Sequence, residues 1–150
     1  MYRKILMPLD GSKTAECVYG HVIDIARGCS VPEIDLLFVV APLPAGLYQS
    51  RQDDHDKLLA WGKEYLTGVV KRLADDGITA KPIIIDGKPA ETILQYVEEN
   101  GIDLIIMSTH GRSGPPRWAF GSVTDKVIRA SRTPVLVVAP EGCRVQINGV

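Results

Sequence analysis

Five short apolar runs, separated by segments with helical periodicity, constrain the fold of this chain more than any other feature. The runs cover residues 4–9, 34–40, 79–85, 103–107 and 135–138. Their length and nearly continuous apolar character are typical of strands that are buried on both faces. Between them, apolar residues recur three or four positions apart, which is the spacing of one helix face. This alternation predicts an α/β fold: a doubly wound, mostly parallel, five-stranded sheet with helices on both faces, as in Rossmann-like proteins.

Glycine-containing turns mark where the predicted helices end. Gly28 is placed to end the first helix. Gly77 ends the second helix, which is expected from about residue 53 to residue 74, and Gly101 ends the third. The proline- and glycine-containing segment 41–52 is expected to be a loop that leads into the second helix.

The size and charge of the chain argue against several classes of protein. Its 150 residues suit one domain, expected over residues 1–140, with a surface tail over residues 141–150. The 17 Lys and Arg residues nearly balance the 18 Asp and Glu residues, which argues against a nucleic-acid-binding protein. The three cysteines and three histidines have no metal-binding spacing, so neither a zinc site nor a disulfide scaffold is expected.

No stretch of the sequence has the character of an export signal or a membrane helix. The apolar residues that follow Arg3 and Lys4 are too few for the core of a signal peptide. The longest uncharged stretch, residues 36–50, is interrupted by prolines and a glycine and is too short to span a bilayer. We therefore expect a cytoplasmic protein that does not enter the membrane.

The predicted strand order brings two loops together at one edge of the sheet. If the order is 3-2-1-4-5, strands one and four are neighbours whose connections leave on opposite faces of the sheet. Ligands of such folds bind in the crevice that this switch creates at the carboxyl ends of the strands. The loops that border the crevice are residues 10–12 and 108–114.

The second of these loops has the composition of an anion site. Gly111, Gly114 and Gly121 allow close approach of the backbone, and Ser122 offers a hydroxyl and an N–H group at the start of the next helix. Exposed N–H groups at such a position form a cradle for phosphate. The alternative is an ordinary turn at residues 114–116, followed by a helix that Ser122 caps.

Three other side chains near the crevice each have two interpretations. In the functional interpretation, Asp10 accepts hydrogen bonds from a ribose or base, or helps to hold a metal ion. In the structural interpretation, it makes an Asx turn. His110 is interpreted as a ligand contact or a loop cap, because no partner would orient its imidazole as a general base. Arg112 either meets phosphate oxygens or is solvated. No GxxxxGK[ST], GxGxxG or GxSxG motif occurs, so no catalytic residue and no metal ligand is assigned.

Three parts of the chain together resemble the universal stress protein family, in its small single-domain form. Residues 5–12 resemble the first strand and turn of the family. Residues 109–114 with 121–124 resemble its signature, and residues 133–138 resemble its last strand. The resemblance extends over nearly the whole chain, from residue 4 to residue 138.

The resemblance implies a nucleotide site built on the glycine loop. ATP-binding members of the family carry the pattern G-x2-G-x9-G-[S/T]. In this chain Gly111 and Gly121 match the second and third glycines and Ser122 the hydroxyl position, whereas Ser108 stands where the first glycine is expected. The expected ligand is ATP or a related adenine nucleotide, with Mg²⁺ as an optional companion ion. The implied nucleotide-binding residues are Pro8, Leu9, Asp10, Val39, Met107, Ser108, His110, Gly111, Arg112, Gly114, Gly121, Ser122, Val123 and Thr124.

The resemblance also implies a homodimer that pairs through the last strand, residues 134–138. This apolar strand lies at the edge of the predicted sheet and needs a cover, either a second copy or the tail that starts at Glu141.

Three functions stay open at this point. They are a nucleotide-dependent stress-response module, a dimeric interaction module that does not bind ATP, and a slow ATPase in which Asp10 and His110 would act.

Overall fold

All five predicted strands are present in one parallel sheet. The structure is a computed structural model that describes residues 1–42, 48–110 and 120–140. The predicted tail, residues 141–150, lies outside this part of the chain. The strands are β1 (Ile5–Leu9), β2 (Ile34–Val40), β3 (Ala80–Asp86), β4 (Leu104–Ser108) and β5 (Val135–Val138). The helices are α1 (Tyr19–Cys29), α2 (Tyr48–Asp75), α3 (Pro89–Asn100) and α4 (Ser122–Ala130), and a short 3₁₀ turn, Ala15–Val18, precedes α1.

The strand order is β3-β2-β1-β4-β5, as the sequence predicts. Every neighbouring pair is parallel, and β1, at the centre, pairs with β2 from Ile5 opposite Ile34 to Leu9 opposite Phe38. The pairing of β1 with β4 begins with Ile5 opposite Leu104. The direction of the chain's connections therefore switches between β1 and β4, and the carboxyl ends of these two strands lie side by side.

Two separate apolar cores cover the two faces of the sheet. On one face α1 and α2 pack against β1 and β2, with Leu36 and Leu66 fully buried between them. On the other face α3 and α4 pack against Leu6 and Leu37. Truncation of a fully buried side chain such as Leu36 to alanine would cost about 2–5 kcal/mol, so both cores hold the helices firmly to the sheet. None of the helices in the described part of the chain is long and apolar enough to cross a bilayer.

Two predicted helix boundaries are wrong. The first helix does not end at Gly28 but continues to Cys29, and Ser30 takes the left-handed conformation at φ 54°. The N–H groups of Ser30 and Val31 bond to the carbonyls of Arg27 and Ala26, and these bonds stabilise a conformation that serine alone disfavours. The second helix starts at Tyr48 rather than near residue 53, because no proline or glycine interrupts residues 48–52.

Candidate functional site

A cavity of about 360 Å³ lies at the carboxyl ends of β1, β2 and β4. Its position is the switch point of the sheet, and its volume is within the range of small-molecule sites. All the predicted site residues that the structure describes line this cavity. They are Pro8, Leu9, Asp10, Val39, Met107, Ser108, His110, Gly121, Ser122, Val123 and Thr124. The remaining three, Gly111, Arg112 and Gly114, lie outside the described residues.

The sequence analysis missed an apolar wall of the cavity. The additional lining residues are Ala15, Leu37, Phe38, Ala41, Leu58, Pro89 and Ile93. Leu58 on α2 and Ile93 on α3 are among the apolar residues that recur three or four positions apart in the predicted helical segments. Periodicity does not tell which members of such a face meet the sheet and which meet a cavity, because the docking of the helix decides that. The part of the cavity beside β2, α2 and α3 is consequently lined mainly by apolar side chains.

The first turn of α4 forms the opposite, polar end of the cavity. Ser122, Val123 and Thr124 line the cavity here, and the first N–H groups of a helix have no acceptor within it. The residue that precedes the helix, Gly121, is extended, and no side chain among the described residues caps the helix. The predicted alternative, in which Ser122 is the cap, is therefore wrong, since Ser122 is the first helical residue. N–H groups that no side chain of the described residues caps, and the positive end of the helix dipole, together suit an anion.

Two hydrogen bonds close the base of the glycine loop. The N–H group of Gly121 donates to the carbonyl oxygen of Thr109 at 2.6 Å. The buried hydroxyl of Thr124 donates to the carbonyl oxygen of Ser108 at 2.8 Å. The two ends of the loop are thus joined to each other, and α4 is held with its first turn against the cavity. Residues 111–119, between these ends, are not described.

Ser108, at the position of the first glycine in the family pattern, uses its hydroxyl within the protein. Its Oγ donates to the carbonyl oxygen of His110 at 2.8 Å and accepts from the N–H group of the same residue at 3.3 Å. The side chain is buried. The hydroxyl therefore stabilises the first turn of the loop and is not available to a ligand in this conformation. Compared with glycine, Ser108 would add only its Cβ atom to the surface that meets a ligand.

Asp10 makes the Asx turn that was one of its two interpretations, and it also lines the cavity. Its Oδ1 accepts hydrogen bonds from the N–H group of Ser12 at 2.9 Å and from the hydroxyl of Ser12 at 2.6 Å. The Ser12 oxygen in turn accepts from the N–H group of Ala15 at 3.0 Å. Gly11, between them, has a φ of 84°. These bonds orient the carboxylate of Asp10 at the edge of the cavity.

His110 is almost fully buried, and its Nδ1 lies 2.9 Å from the hydroxyl oxygen of Thr109. The imidazole thus has a partner within the loop and forms part of the cavity wall. Among the described residues, no lysine or arginine lines the cavity, and no cluster of three or more His, Cys, Asp and Glu side chains could hold a metal ion. The polarity of the described cavity therefore comes mainly from backbone groups, hydroxyls and one carboxylate.

Comparison with known proteins gives the family to which this fold and cavity belong. The model of the universal stress protein family matches residues 1–139. The universal stress protein MJ0577 of Methanocaldococcus jannaschii is 35% identical over 154 aligned positions, which cover 92% of this chain and 95% of that protein. The solved structure of MJ0577 superposes with a TM-score of 0.87 over 95% of this chain and 99% of that one, at 36% identity. The chain belongs to the universal stress protein family.

Two further structures with this fold contain nucleotides. One is a universal stress protein in complex with cAMP, with a TM-score of 0.71 and 22% identity over 91% of this chain and 97% of that one. The other is a universal stress family protein from Arabidopsis thaliana with AMP bound, with a TM-score of 0.69 and 18% identity over 93% of each chain. At these identities the likeness to this chain is one of fold.

Proposed function

We propose that this chain binds an adenine nucleotide, with ATP as the expected form, and acts as a nucleotide-dependent module of the stress response in the cytoplasm. The observation that carries the proposal is the pairing of two unlike ends in one cavity. The first turn of α4 offers backbone N–H groups at one end, and Val39, Leu58 and Pro89 offer apolar surface at the other. A nucleotide has the same polarity, with an anionic phosphate end and a flat base.

The bound nucleotide would lie with its phosphates at the first turn of α4 and its base in the apolar slot formed by Val39, Leu58 and Pro89. Ser122 and Thr124 mark the phosphate end, while Met107 and Val39 flank the base. Gly111, Arg112 and Gly114 would complete the phosphate side from the loop. In this proposal Mg²⁺ accompanies ATP through the phosphate oxygens, and the chain itself supplies hydrogen bonds and van der Waals contact. The AMP- and cAMP-bound structures of the same fold support an adenine nucleotide as the ligand class.

A pair of variants at Ser122 tests the proposal by charge alone. Ser122 is exposed and is the first residue of α4, so an aspartate there suits the helix dipole and leaves the fold intact. Ser122→Asp places a negative charge where the phosphates would bind, whereas Ser122→Asn has nearly the same shape without the charge. In calorimetric titrations with MgATP, we expect Ser122→Asp to bind at least about tenfold more weakly than Ser122→Asn. Equal affinities, or no uptake by the wild-type protein at millimolar MgATP, would refute the proposal.

A second candidate function is an interaction module that holds no ATP. The buried Ser108, which departs from the family pattern at the first glycine, favours this alternative, in which its Cβ atom would narrow the approach of a phosphate. The two candidate functions are distinguished by extracting any bound nucleotide from freshly purified protein and measuring its adenine absorbance. Stoichiometric adenine would exclude the second candidate. ATP hydrolysis is not part of the proposal, because no lysine or arginine among the described residues lines the cavity to neutralise charge during phosphoryl transfer.

We further propose that the protein forms a homodimer through β5. The two edges of the sheet differ in that β3 carries a proline at an outward-facing position, whereas β5 does not. The carbonyl of Thr79, just before β3, bonds to β2. Alternate residues of a strand face opposite sides, so Pro82 faces away from β2, and its missing N–H group would interrupt the pairing of an added strand. The carbonyls of Pro134, just before β5, and of Val138 bond to β4, so the N–H groups of Val135 and Val137 face away from β4, toward the edge of the sheet.

The dimer proposal is tested by removing the outward N–H group of Val137. Val137→Pro keeps the bonds of β5 to β4, since the alternate residues make them, and Val137→Thr keeps the N–H group as a control. Light scattering during gel filtration should give a dimer for the wild type and for Val137→Thr and a monomer for Val137→Pro. A Val137→Pro dimer of native stability would refute pairing through β5.

A further inference from the structure

The indole of Trp61 lies directly against Gly11, in the turn that follows β1. A Cβ atom added to Gly11 would come within 2.0 Å of Cη2 and 2.6 Å of Cζ3 of the indole. Gly11 also has a φ of 84°, a conformation that other residues rarely adopt. The turn and the indole therefore fit each other only because residue 11 has no side chain, and α2 forms the outer wall of the turn.

The residue on the cavity side of this turn is Asp10. Its carboxylate is oriented by Ser12, which donates both its N–H group and its hydroxyl to Oδ1. Gly11 connects these two residues, so a change in the conformation of Gly11 would misalign the bonds that orient the carboxylate. Asp10 is the only carboxylate among the described residues that line the cavity.

Aromatic neighbours hold Trp61 in place although the residue is 40% exposed. Its ring stacks on Tyr65 with centroids 5.5 Å apart and planes 10° apart, and it meets Phe38 edge-on at 5.8 Å. Phe38 is buried and lines the cavity. Tyr65 donates a hydrogen bond to Glu16 at 2.8 Å, and burial together with this bond raises the pKa of the Tyr65 hydroxyl. The indole thus has a defined orientation from which to support the turn.

The polarity of the cavity indicates which part of a nucleotide Asp10 would meet. A carboxylate repels phosphates, which would lie at the N-terminus of α4, and the base occupies the apolar slot. The hydroxyls of the sugar lie between these parts and are hydrogen-bond donors that a carboxylate accepts strongly. A site with this arrangement favours ribonucleotides over nucleotides that lack the sugar hydroxyls, because the hydroxyls add charge-assisted hydrogen bonds to the carboxylate.

We infer that Trp61 is a positioning residue that, through Gly11, holds Asp10 to select ribonucleotides. The inference rests on the proposed function, and it adds a residue of α2 to the machinery of the site. Wild-type protein should bind ATP at least about tenfold more tightly than 2′,3′-dideoxy-ATP. Trp61→Ala should reduce this preference to about twofold or less while it changes the affinity for dideoxy-ATP little. Asp10→Asn should have the same effect, and the double variant should lose no more than either single variant.

Two further measurements separate positioning from general damage to the fold. Tyr65→Phe keeps the stacked ring and should retain the preference for ATP, and Trp61→Phe should show a partial loss. Hydrogen exchange of the Ser12 amide, which donates to Asp10, should accelerate at least about tenfold in Trp61→Ala relative to wild type, without any ligand. Unchanged protection of the Ser12 amide, or a Trp61→Ala variant with the wild-type preference, would overturn the inference alone. An equal loss of affinity for ATP and for dideoxy-ATP in Trp61→Ala would also overturn the inference, because that result would show only damage to the structure. A wild-type protein that binds neither nucleotide would overturn the proposed function and the inference together.

Discussion

The hydroxyl of Thr124 donates a hydrogen bond to the carbonyl oxygen of Ser108 at 2.8 Å, and both residues are buried. This bond joins the first turn of α4 to the last residue of β4 across sixteen positions of the chain. Thr124 was predicted as a nucleotide-binding residue, and its hydroxyl is engaged inside the protein. Its part in the proposed site is therefore to hold α4 in place.

Replacement of Thr124 by valine keeps the shape of the side chain and removes the donor. The buried carbonyl of Ser108 then loses this partner, so we expect stability to fall by about 1–2 kcal/mol, measured by urea unfolding. Thr124→Ser retains the hydroxyl and should recover most of this loss. If the valine variant is as stable as the serine variant, the hydrogen bond contributes nothing.

Replacement of Ser108 by glycine restores the residue of the family pattern, but it removes the hydroxyl that bonds to both backbone groups of His110. We expect Ser108→Gly to lose about 1–2 kcal/mol of stability, and Ser108→Ala somewhat less, because glycine also gains backbone freedom in the unfolded chain. Neither variant should bind ATP more tightly than the wild type, since the first turn of the loop loses its internal bonds. A tenfold gain in affinity for Ser108→Gly over Ser108→Ala in calorimetry would instead identify the Cβ atom as an obstruction.

Glu16 should make the stability of the protein depend on acid pH. Burial raises the pKa of Glu16, but the hydrogen bonds from Arg72 at 2.9 Å and from Tyr65 outweigh burial and leave the pKa below its ordinary value of 4.5. A lowered pKa means that the stabilisation is complete above pH 4.5 and is lost as the pH falls through the folded-state value.

The variant Glu16→Gln tests this dependence. At pH 7 it should be less stable than the wild type by about 1 kcal/mol, and the difference should shrink as the pH is lowered below 4.5 in urea titrations. Glu64→Gln, at an exposed position of α2, is the control and should change little. A difference between Glu16→Gln and wild type that does not vary with pH would contradict the assignment.

His55 connects the N-terminal part of α2 to the end of β3. Its Nε2 lies 2.8 Å from Oδ1 of Asp86, and its Nδ1 lies 3.7 Å from Oδ1 of Asp56. We expect His55→Ala to accelerate hydrogen exchange of the amides in residues 55–59, because α2 loses a side-chain contact with the sheet close to its start. The loss of global stability should be about 1 kcal/mol or less, since Asp86 is largely exposed. His21→Ala, at an exposed position of α1, should leave exchange in α2 unchanged, and faster exchange there in both variants would exclude a local role for His55.

Much of the architecture follows from local sequence signals. Apolar runs such as residues 34–40 are too short and too continuous for anything but buried strands, so the order of strands and helices is readable from the chain. The crossover rule for parallel strands then limits the topology to a few forms, and the form found is the predicted one. The boundary at Gly28 was wrong because backbone hydrogen bonds of Ser30 and Val31 close the helix one residue later. The boundary near residue 53 was wrong because residues 48–52 contain no proline or glycine that would interrupt a helix.

The sequence by itself determined that a parallel sheet would carry a glycine loop beside the turn at residues 10–12. Local patterns are enough for this, because strand burial and turn conformation depend on neighbouring residues. Only the tertiary structure decided that Leu58 and Pro89 form an apolar wall, that Trp61 lies on Gly11, and that Thr124 bonds to Ser108. These contacts join distant parts of the chain, and they depend on the angle and depth at which each helix docks on the sheet. Side-chain packing over a whole helix face sets that geometry, and no short sequence pattern encodes it.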